Sequence, residues 1–329
     1  MSKSTAVAKK KKWSEMTPEE KKRKRTRTKI VIKRQLPFYG LMLPGFICLA
    51  IFCYLPLPGI LVAFKDYNWK DGIFGSDWMN PIWKNFEFFF VSDVAGRVTF
   101  NTIFYNVIQL VLGPVLAITV AVLLNEIRGK VSASIYKGAI LLPTFISWVI
   151  VQYIMYALMN PGRGILSSVF GMDINFYMEP SYWRFIMPLI YLWKGFGYNS
   201  VLYVAAISGI NTDYYEAAEL DGASRWQKIK HITLPLLKPT FVILTLLAIG
   251  NIFKGGAGDW QGFITATNNS GMLYPTTDVI DSYVYRALRT LNDYGMSAAA
   301  SLYQSVVGFV LVLVTDRIIH RIDPDSSML

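Results

Sequence analysis

Six apolar runs constrain this chain more than any other feature. They lie at about 38–64, 99–124, 139–159, 185–210, a shorter stretch of about fifteen residues from Pro239, and 296–319. A helix needs about 20 apolar residues to cross roughly 30 Å of hydrocarbon. Backbone in that environment must satisfy its own hydrogen bonds, which a helix does. The expectation is an all-α, polytopic membrane protein with six transmembrane helices. Pro44, Pro56 and Pro58 predict kinks in the first run, and 193–200, with Lys194, Gly195, Gly197, Asn199 and Ser200, predicts an interruption of the fourth.

The formal charge of +11 would suit a nucleic-acid binder until it is located. Residues 1–34 hold 14 Lys/Arg against Glu15, Glu19 and Glu20, which accounts for the whole excess. A basic arm ahead of a span points to a cytoplasmic amino terminus attracted to anionic lipid, with no nucleic-acid partner. Its charged stretch is too long, and the apolar run after it too long, for a cleavable signal. Arg128, Lys130 and Lys137, then Arg225, Lys228, Lys230 and Lys238, then Arg317 and Arg321 fall on alternate loops and the carboxyl terminus. The positive-inside rule therefore places both termini in the cytoplasm of a multi-pass protein of the cell membrane. The 65–99 loop is rich in aromatics and reads as an interface belt or a docking surface. Cys48 and Cys53 are five apart on one helix and cannot bridge. His231 and His320 fall in predicted cytoplasmic segments, so no metal site is expected.

Between the fourth and fifth runs lies a polar segment, Asp213 to Pro235, DYYEAAELDGASRWQKIKHITLP. Asp213 with Glu216, and Ser224 with Gln227, have the spacing of two capping boxes. Gly222 stands between them, where a residue of positive φ ends the first helix. The segment is predicted to be a cytoplasmic helix-turn-helix. It is either an interfacial loop with Trp226, Ile229 and Ile232 on lipid, or a lever held by another protein.

Glu216-Ala217-Ala218, Gly222 four residues on, Ile232 and Leu234-Pro235 have the spacing of the EAA loop of ATP-binding-cassette (ABC) importer permeases, and the segment resembles it at every one of those positions. Trp193-Lys194, Val204 to Ile207, Asp221 to Ala223 and Ile232 to Leu237 resemble the sugar-importing branch. Asp278 to Arg286 and Gln304 to Gly308 are similar to the LplB-type permeases of complex carbohydrates. The resemblance spans most of 36–320. It implies a type I ABC importer permease (MetI-like) fold and a permease subunit for an oligosaccharide or other carbohydrate. It also implies a second homologous permease forming a heterodimer, two ATPase subunits carrying the ATP and Mg, and an extracytoplasmic sugar-binding protein. No cofactor is expected on this chain and no catalytic residue. By the same resemblance Glu216, Ala217, Ala218, Gly222, Ile232, Leu234 and Pro235 couple to the ATPase. Glu216 could also be the N3 partner of a cap.

The chain divides into a basic tail (1–35), a first helix and extracytoplasmic loop (36–95), a core (96–320) carrying the coupling loop 213–235, and a short carboxyl terminus (321–329). It has no G-x-x-x-x-G-K-[ST] loop and cannot be its own ATPase. Sugar sites combine aromatic faces with amides and hydroxyls near the bilayer midplane, where helices are irregular. Trp193, Lys194, Gly195, Tyr198 and Asn199 on the fourth run and Asn251 and Lys254 on the fifth fit that description, and they resemble positions lining the path in maltose-type permeases. Trp148, Gln152 and Gln109 are further candidates, while Trp193, Tyr198 and Tyr203 could equally be packing residues. A lysine and an amide inside spans call for a wet cavity or a partner. Two alternatives are a membrane enzyme for lipid-linked sugar, using Asp278 and Asp281, and a secondary carrier. The first needs paired carboxylates or a metal cluster, and the i, i+3 spacing of Asp278 and Asp281 reads equally as a capped helix start; the second lacks central charges in most spans.

Overall fold

The computed structural model describes residues 17–87, 93–127, 129–172, 174–252 and 261–322. Among them every regular element is helical, apart from one antiparallel bridge between Lys65 and Trp78. The chain separates into two units, Met1–Gly59 and Ile60–Leu329.

The first unit is helix α1, Pro18–Leu49, continued by a π-helical turn, Ala50–Tyr54. α1 passes through Pro37 and Pro44, whose missing N–H groups cost ladder bonds that a helix in a membrane can tolerate. All side chains from Ile32 to Pro58 are exposed. A hydrophobic helix that buries nothing against its own unit is made for lipid or for another chain.

The second unit is organised around α2 (Asp93–Asn125) and α5 (Pro180–Ser208), which form its most extensive helix pair. Between them in sequence come α3 (Lys130–Phe145) and α4 (Trp148–Met159). The polar segment forms α6 (Asp213–Leu220) and α7 (Arg225–Lys228), and α8 (Lys238–Gly250) rises from it. α9 (Gln261–Thr265) and α10 (Ile280–Arg286) are short, and α11 (Tyr294–Ile322) closes the chain against α8.

Among the described residues, by length and composition, three helices can cross a membrane, Ile32–Phe64, Asp93–Asn125 and Tyr294–Arg321. Two bent pairs add Val131–Phe145 with Trp148–Met159 at 92°, and Arg225–Leu236 with Lys238–Gly250 at 51°. α5 has the length, at 29 residues, but carries Arg184, Lys194 and an internal Pro188. Two expectations need correction here. The third apolar run is not one straight helix, because Ile146 and Ser147 are extended and the Ser147 side chain caps α4 by accepting from the Ile150 N–H at 3.4 Å. Conversely, 193–200 does not interrupt the fourth, since α5 runs unbroken through it.

Packing differs at the two ends of this unit. Near the 213–235 loop, Ala117, Ala121 and Leu124 of α2 meet Tyr203, Val204 and Ile207 of α5 together with Leu237. Small residues there allow close backbone approach, which stabilises helix pairs where lipid removes the hydrophobic drive. At α3 and α5 the approach is closer still: a Cβ on Gly197 would lie 2.0 Å from the Ile140 carbonyl oxygen, so only glycine fits. At the far end Tyr105, Trp148, Trp183, Tyr191 and Phe263 build an aromatic core, with Trp148 and Tyr191 4.8 Å apart and Tyr191 and Phe263 5.0 Å apart.

The 65–87 loop is wound around a buried cation. Lys65 Nζ donates to the carbonyls of Ser76 (2.7 Å) and Phe74 (3.1 Å) and lies 5.0 Å from the Trp78 ring. Trp69, Trp78 and Trp83 remain exposed, which suits an interface belt and a docking surface alike. Cys48 and Cys53 are free and exposed.

Candidate functional site

The 213–235 segment folds as a short helix, a sharp turn and a stem. α6 ends in a Schellman motif: the Ala223 N–H donates to the Ala218 carbonyl at 2.9 Å and the Gly222 N–H to the Glu219 carbonyl at 3.0 Å. Gly222 has φ +77°, the left-handed conformation in which a Cβ is penalised. After it Ser224 and Gln227 form the expected capping box, at 3.3 and 2.7 Å. The other expected box is absent. Asp213 is already helical, no side chain caps α6, and Asn211 takes the local role by accepting from the Asp213 N–H at 3.1 Å.

Glu216 is therefore not the partner of a cap. Its carboxylate is exposed and engages no cation or N–H among the described residues. Glu219 instead pairs with Lys228 across the turn. The Tyr215 hydroxyl shares a 2.9 Å hydrogen bond with the buried Thr233 hydroxyl, fastening α6 to its stem. Ala217 is exposed and Leu220 is 90% exposed, while Ala218 and Ile232 are half-buried. Leu234 and Pro235 lie exposed where the stem starts its last turn before α8. The outcome is a braced helix with an uncovered face of small residues, one leucine and one unpaired carboxylate.

The second constellation lies midway along α5. Lys194 Nζ donates to the Ile146 carbonyl at 2.8 Å and the Thr144 carbonyl at 3.1 Å, and sits 5.4 Å from the Trp148 ring. Thr144 returns a 3.0 Å bond from its hydroxyl to the Lys194 carbonyl. These acceptors are the carbonyls freed where α3 breaks. An ammonium is the side chain best able to satisfy two converging carbonyls, because it offers three donors. Lys194 is thus committed first to holding the bend, with one N–H left over.

The other expected path residues separate into two groups. Trp193, Tyr198 and Asn199 are exposed on α5, and Gly195 opens onto space, with nothing within 4 Å of a Cβ placed there. Asn251 is exposed at the end of α8, its amide donating back to the Leu247 carbonyl at 2.9 Å. Trp148, by contrast, is 6% exposed and packed in the far-end core. Gln152 donates to the Asn268 side chain at 2.7 Å, Gln109 to the Pro188 carbonyl at 3.3 Å, and Tyr203 is buried, so all three are engaged in packing. Lys254 lies outside the described residues.

The spacing gave no sign of the polar lock at the far end. Asp278, with its side chain 1% exposed, pairs with Arg286, accepts from the Ser282 hydroxyl at 2.7 Å, and its backbone carbonyl accepts from Asn101 at 2.9 Å. Tyr105 donates to the Thr276 carbonyl at 2.7 Å and the Ile280 N–H to the Thr102 hydroxyl at 3.0 Å. One stripe of α2 thus pins the 275–280 segment. Ser282, rather than an aspartate, caps α10 by accepting from the Val279 N–H at 2.9 Å. Asp278 is a lock and not half of an acid–base pair.

Comparison with known proteins accords with this geometry. Residues 113–325 match the family model described as "Binding-protein-dependent transport system inner membrane component". The polygalacturonan/rhamnogalacturonan transport system permease protein YteP of Bacillus subtilis (strain 168) is 32% identical over 305 residues, 92% of this chain and 93% of that one. Protein LplB of the same organism is 31% identical over 299 residues, 90% and 92% of the two chains. Among solved structures, a bacterial ABC transporter involved in import of the acidic polysaccharide alginate superposes with a TM-score of 0.77 at 32% identity, covering 90% of this chain and 99% of that chain. The alginate transporter is also known in complex with an alginate pentasaccharide-bound periplasmic protein (TM-score 0.76). That family comprises permease components rather than enzymes, their ATPase being a separate subunit. With its fold, its braced loop and more than half its length matched, the chain belongs to the inner-membrane permease family of binding-protein-dependent ABC transport systems.

Proposed function

We propose that this chain is one permease subunit of an ATP-driven importer that moves an oligosaccharide across the cytoplasmic membrane by alternating access. The observation that carries the coupling is the 213–235 loop, a short helix braced by Tyr215 and Thr233 and stopped at Gly222, with Glu216, Ala217 and Leu220 uncovered. A stiff helix transmits displacement, and small residues admit a close-fitting partner surface. Two separate ATPase subunits holding ATP and Mg are that partner in this reading, and their closure moves the stem and α8.

Relatives named for polygalacturonan/rhamnogalacturonan transport and alginate import support a carbohydrate as cargo. The complex with a periplasmic protein supports delivery by an extracytoplasmic sugar-binding protein. A second, different permease completes the path, and the exposed length of α1 is available to it or to lipid. Trp193, Tyr198, Asn199 and Asn251, with the spare N–H of Lys194, present the polar and aromatic groups that sugar passage needs. The basic amino-terminal arm lies on the cytoplasmic side against anionic lipid, with the carboxyl terminus on the same side.

The test is Gly222→Val in the assembled transporter reconstituted in liposomes. Sugar uptake falls at least tenfold and ATP hydrolysis loses its dependence on the loaded binding protein, while membrane insertion is retained. Full transport by that variant removes the lever. Uptake that survives ATP depletion but collapses with an ionophore replaces the importer with a secondary carrier.

A further inference from the structure

Two half-buried arginines at the far end of the α2–α5 pair have no counter-charge among the described residues. Arg97, in the first turns of α2, is half-buried and its Nε is enclosed with no hydrogen-bond partner. Arg184, in the first turns of α5, is half-buried and lies 5.7 Å from the Phe100 ring and 5.9 Å from the Phe104 ring. Arg97, Phe100 and Phe104 follow one face of α2 at three- and four-residue steps, so Arg97 shares the α2 face against which Arg184 stacks. Neither forms an ion pair among the described residues, although Asp93 and Glu179 stand close in sequence. The nearby Arg286, by contrast, has Asp278.

A guanidinium keeps its charge at any physiological pH, so half-burying it without a counter-charge is costly. A lipid-facing arginine normally turns its head outward to water, whereas the Nε of Arg97 faces inward. Stacking on Phe100 and Phe104 holds Arg184 by its face and leaves the N–H edge, the part that pairs bidentately with a carboxylate, uncommitted. The Phe100 ring, 54% exposed, adds an apolar surface of the kind that packs on a sugar ring.

We propose that Arg97, Arg184 and Phe100 form a recognition site for the carboxylates of acidic oligosaccharides, so that the permease itself selects uronate-bearing cargo. This rests on the carbohydrate-permease reading above. It agrees with relatives named for polygalacturonan and for the acidic polysaccharide alginate.

The experiment uses the complete transporter with both ATPases and its binding protein in liposomes. Initial uptake of tetragalacturonate is compared with that of its methyl ester in wild type, R97Q, R184Q and R184K. The binding protein is common to all four, so a change in the acid-to-ester ratio reports on the permease. The expected result is a fall in that ratio of about tenfold for R184Q and R97Q, with ester uptake retained and R184K intermediate. An unchanged ratio overturns the site. So does an equal loss for both substrates, which marks a structural role, or a change confined to dependence on phosphatidylglycerol content, which marks a lipid headgroup site. Wild-type uptake of neutral maltotetraose but of neither galacturonate overturns the proposal and leaves the permease reading standing. Failure to move any oligosaccharide, with ATP hydrolysis indifferent to the binding protein, overturns that reading instead.

Discussion

At the scale of single residues, Lys194 shows how a side chain suited to a substrate path is first consumed by the scaffold. A hydrogen bond from a charged group is worth about 1.5–3 kcal/mol, and Lys194 makes two to the Thr144 and Ile146 carbonyls at the break between α3 and α4. Lys194→Met lowers the thermal stability of the detergent-solubilised protein by an amount of that order, and Lys194→Gln, which keeps a donor, by less. Equal melting temperatures for Met and wild type would show that the bend holds without the ammonium. Tyr177 is the opposite case, a buried hydroxyl with no partner. Burial, followed by the neighbouring Tyr156, pushes its phenol from 10.0 up to about 12. Burial penalises only the charged phenolate, so this group costs nothing in stability by titration below pH 10 and destabilises the folded state as pH climbs from 10 to about 12. Tyr177→Phe deletes one late-titrating phenolate from the 295 nm absorbance curve and leaves neutral-pH stability unchanged or up by about 1 kcal/mol, since an unsatisfied group is removed.

At the scale of elements, close contacts and turns are decided by glycine at two places. Gly197→Ala drives a methyl into the Ile140 carbonyl and must part α3 from α5, which destabilises by about 3 kcal/mol, the upper end of overpacking in cores. Gly222→Val strains only a solvent-facing turn and spares the fold. The pair separates a packing defect from a coupling defect: the first lowers melting temperature most, while the second abolishes uptake with only the small loss of stability that a strained turn costs. The Asp278–Arg286 lock obeys a different rule. Removing one partner of a buried pair costs about 3–5 kcal/mol, because the other is left charged and desolvated. Asp278→Asn or Arg286→Gln alone therefore loosens the far end, and the double variant recovers part of the loss in a thermal-shift series. A double variant as unstable as the sum of the singles would deny the coupling.

At the scale of the whole molecule, the membrane class, the number of apolar runs and the turn chemistry of the polar loop were legible because each is local. Gly222 and the Ser224–Gln227 box close their hydrogen bonds within five residues, so spacing predicts them. Asp213 shows the limit of even local reading. The neighbouring Asn211 competed for the same N–H and took it. The broken third helix escaped notice because a single serine inside an apolar run barely changes hydropathy, yet suffices to cap a new helix at 92°.

Sequence by itself determined that this chain is helical, lives in a membrane, and presents a doubly turned polar loop, since apolar run length and caps act through neighbours along the backbone. Tertiary structure alone decided that Lys194 ties a broken helix 48 and 50 residues away, that Asn101 grips Asp278 across 177 residues, and that Gly197 is a point of backbone contact. It also decided that Arg286 has a counter-charge, while among the described residues neither Arg97 nor Arg184 forms an ion pair. Buried polar groups must find partners wherever packing brings them, and in hydrocarbon no water substitutes for a missing one, so their roles are set by three-dimensional proximity.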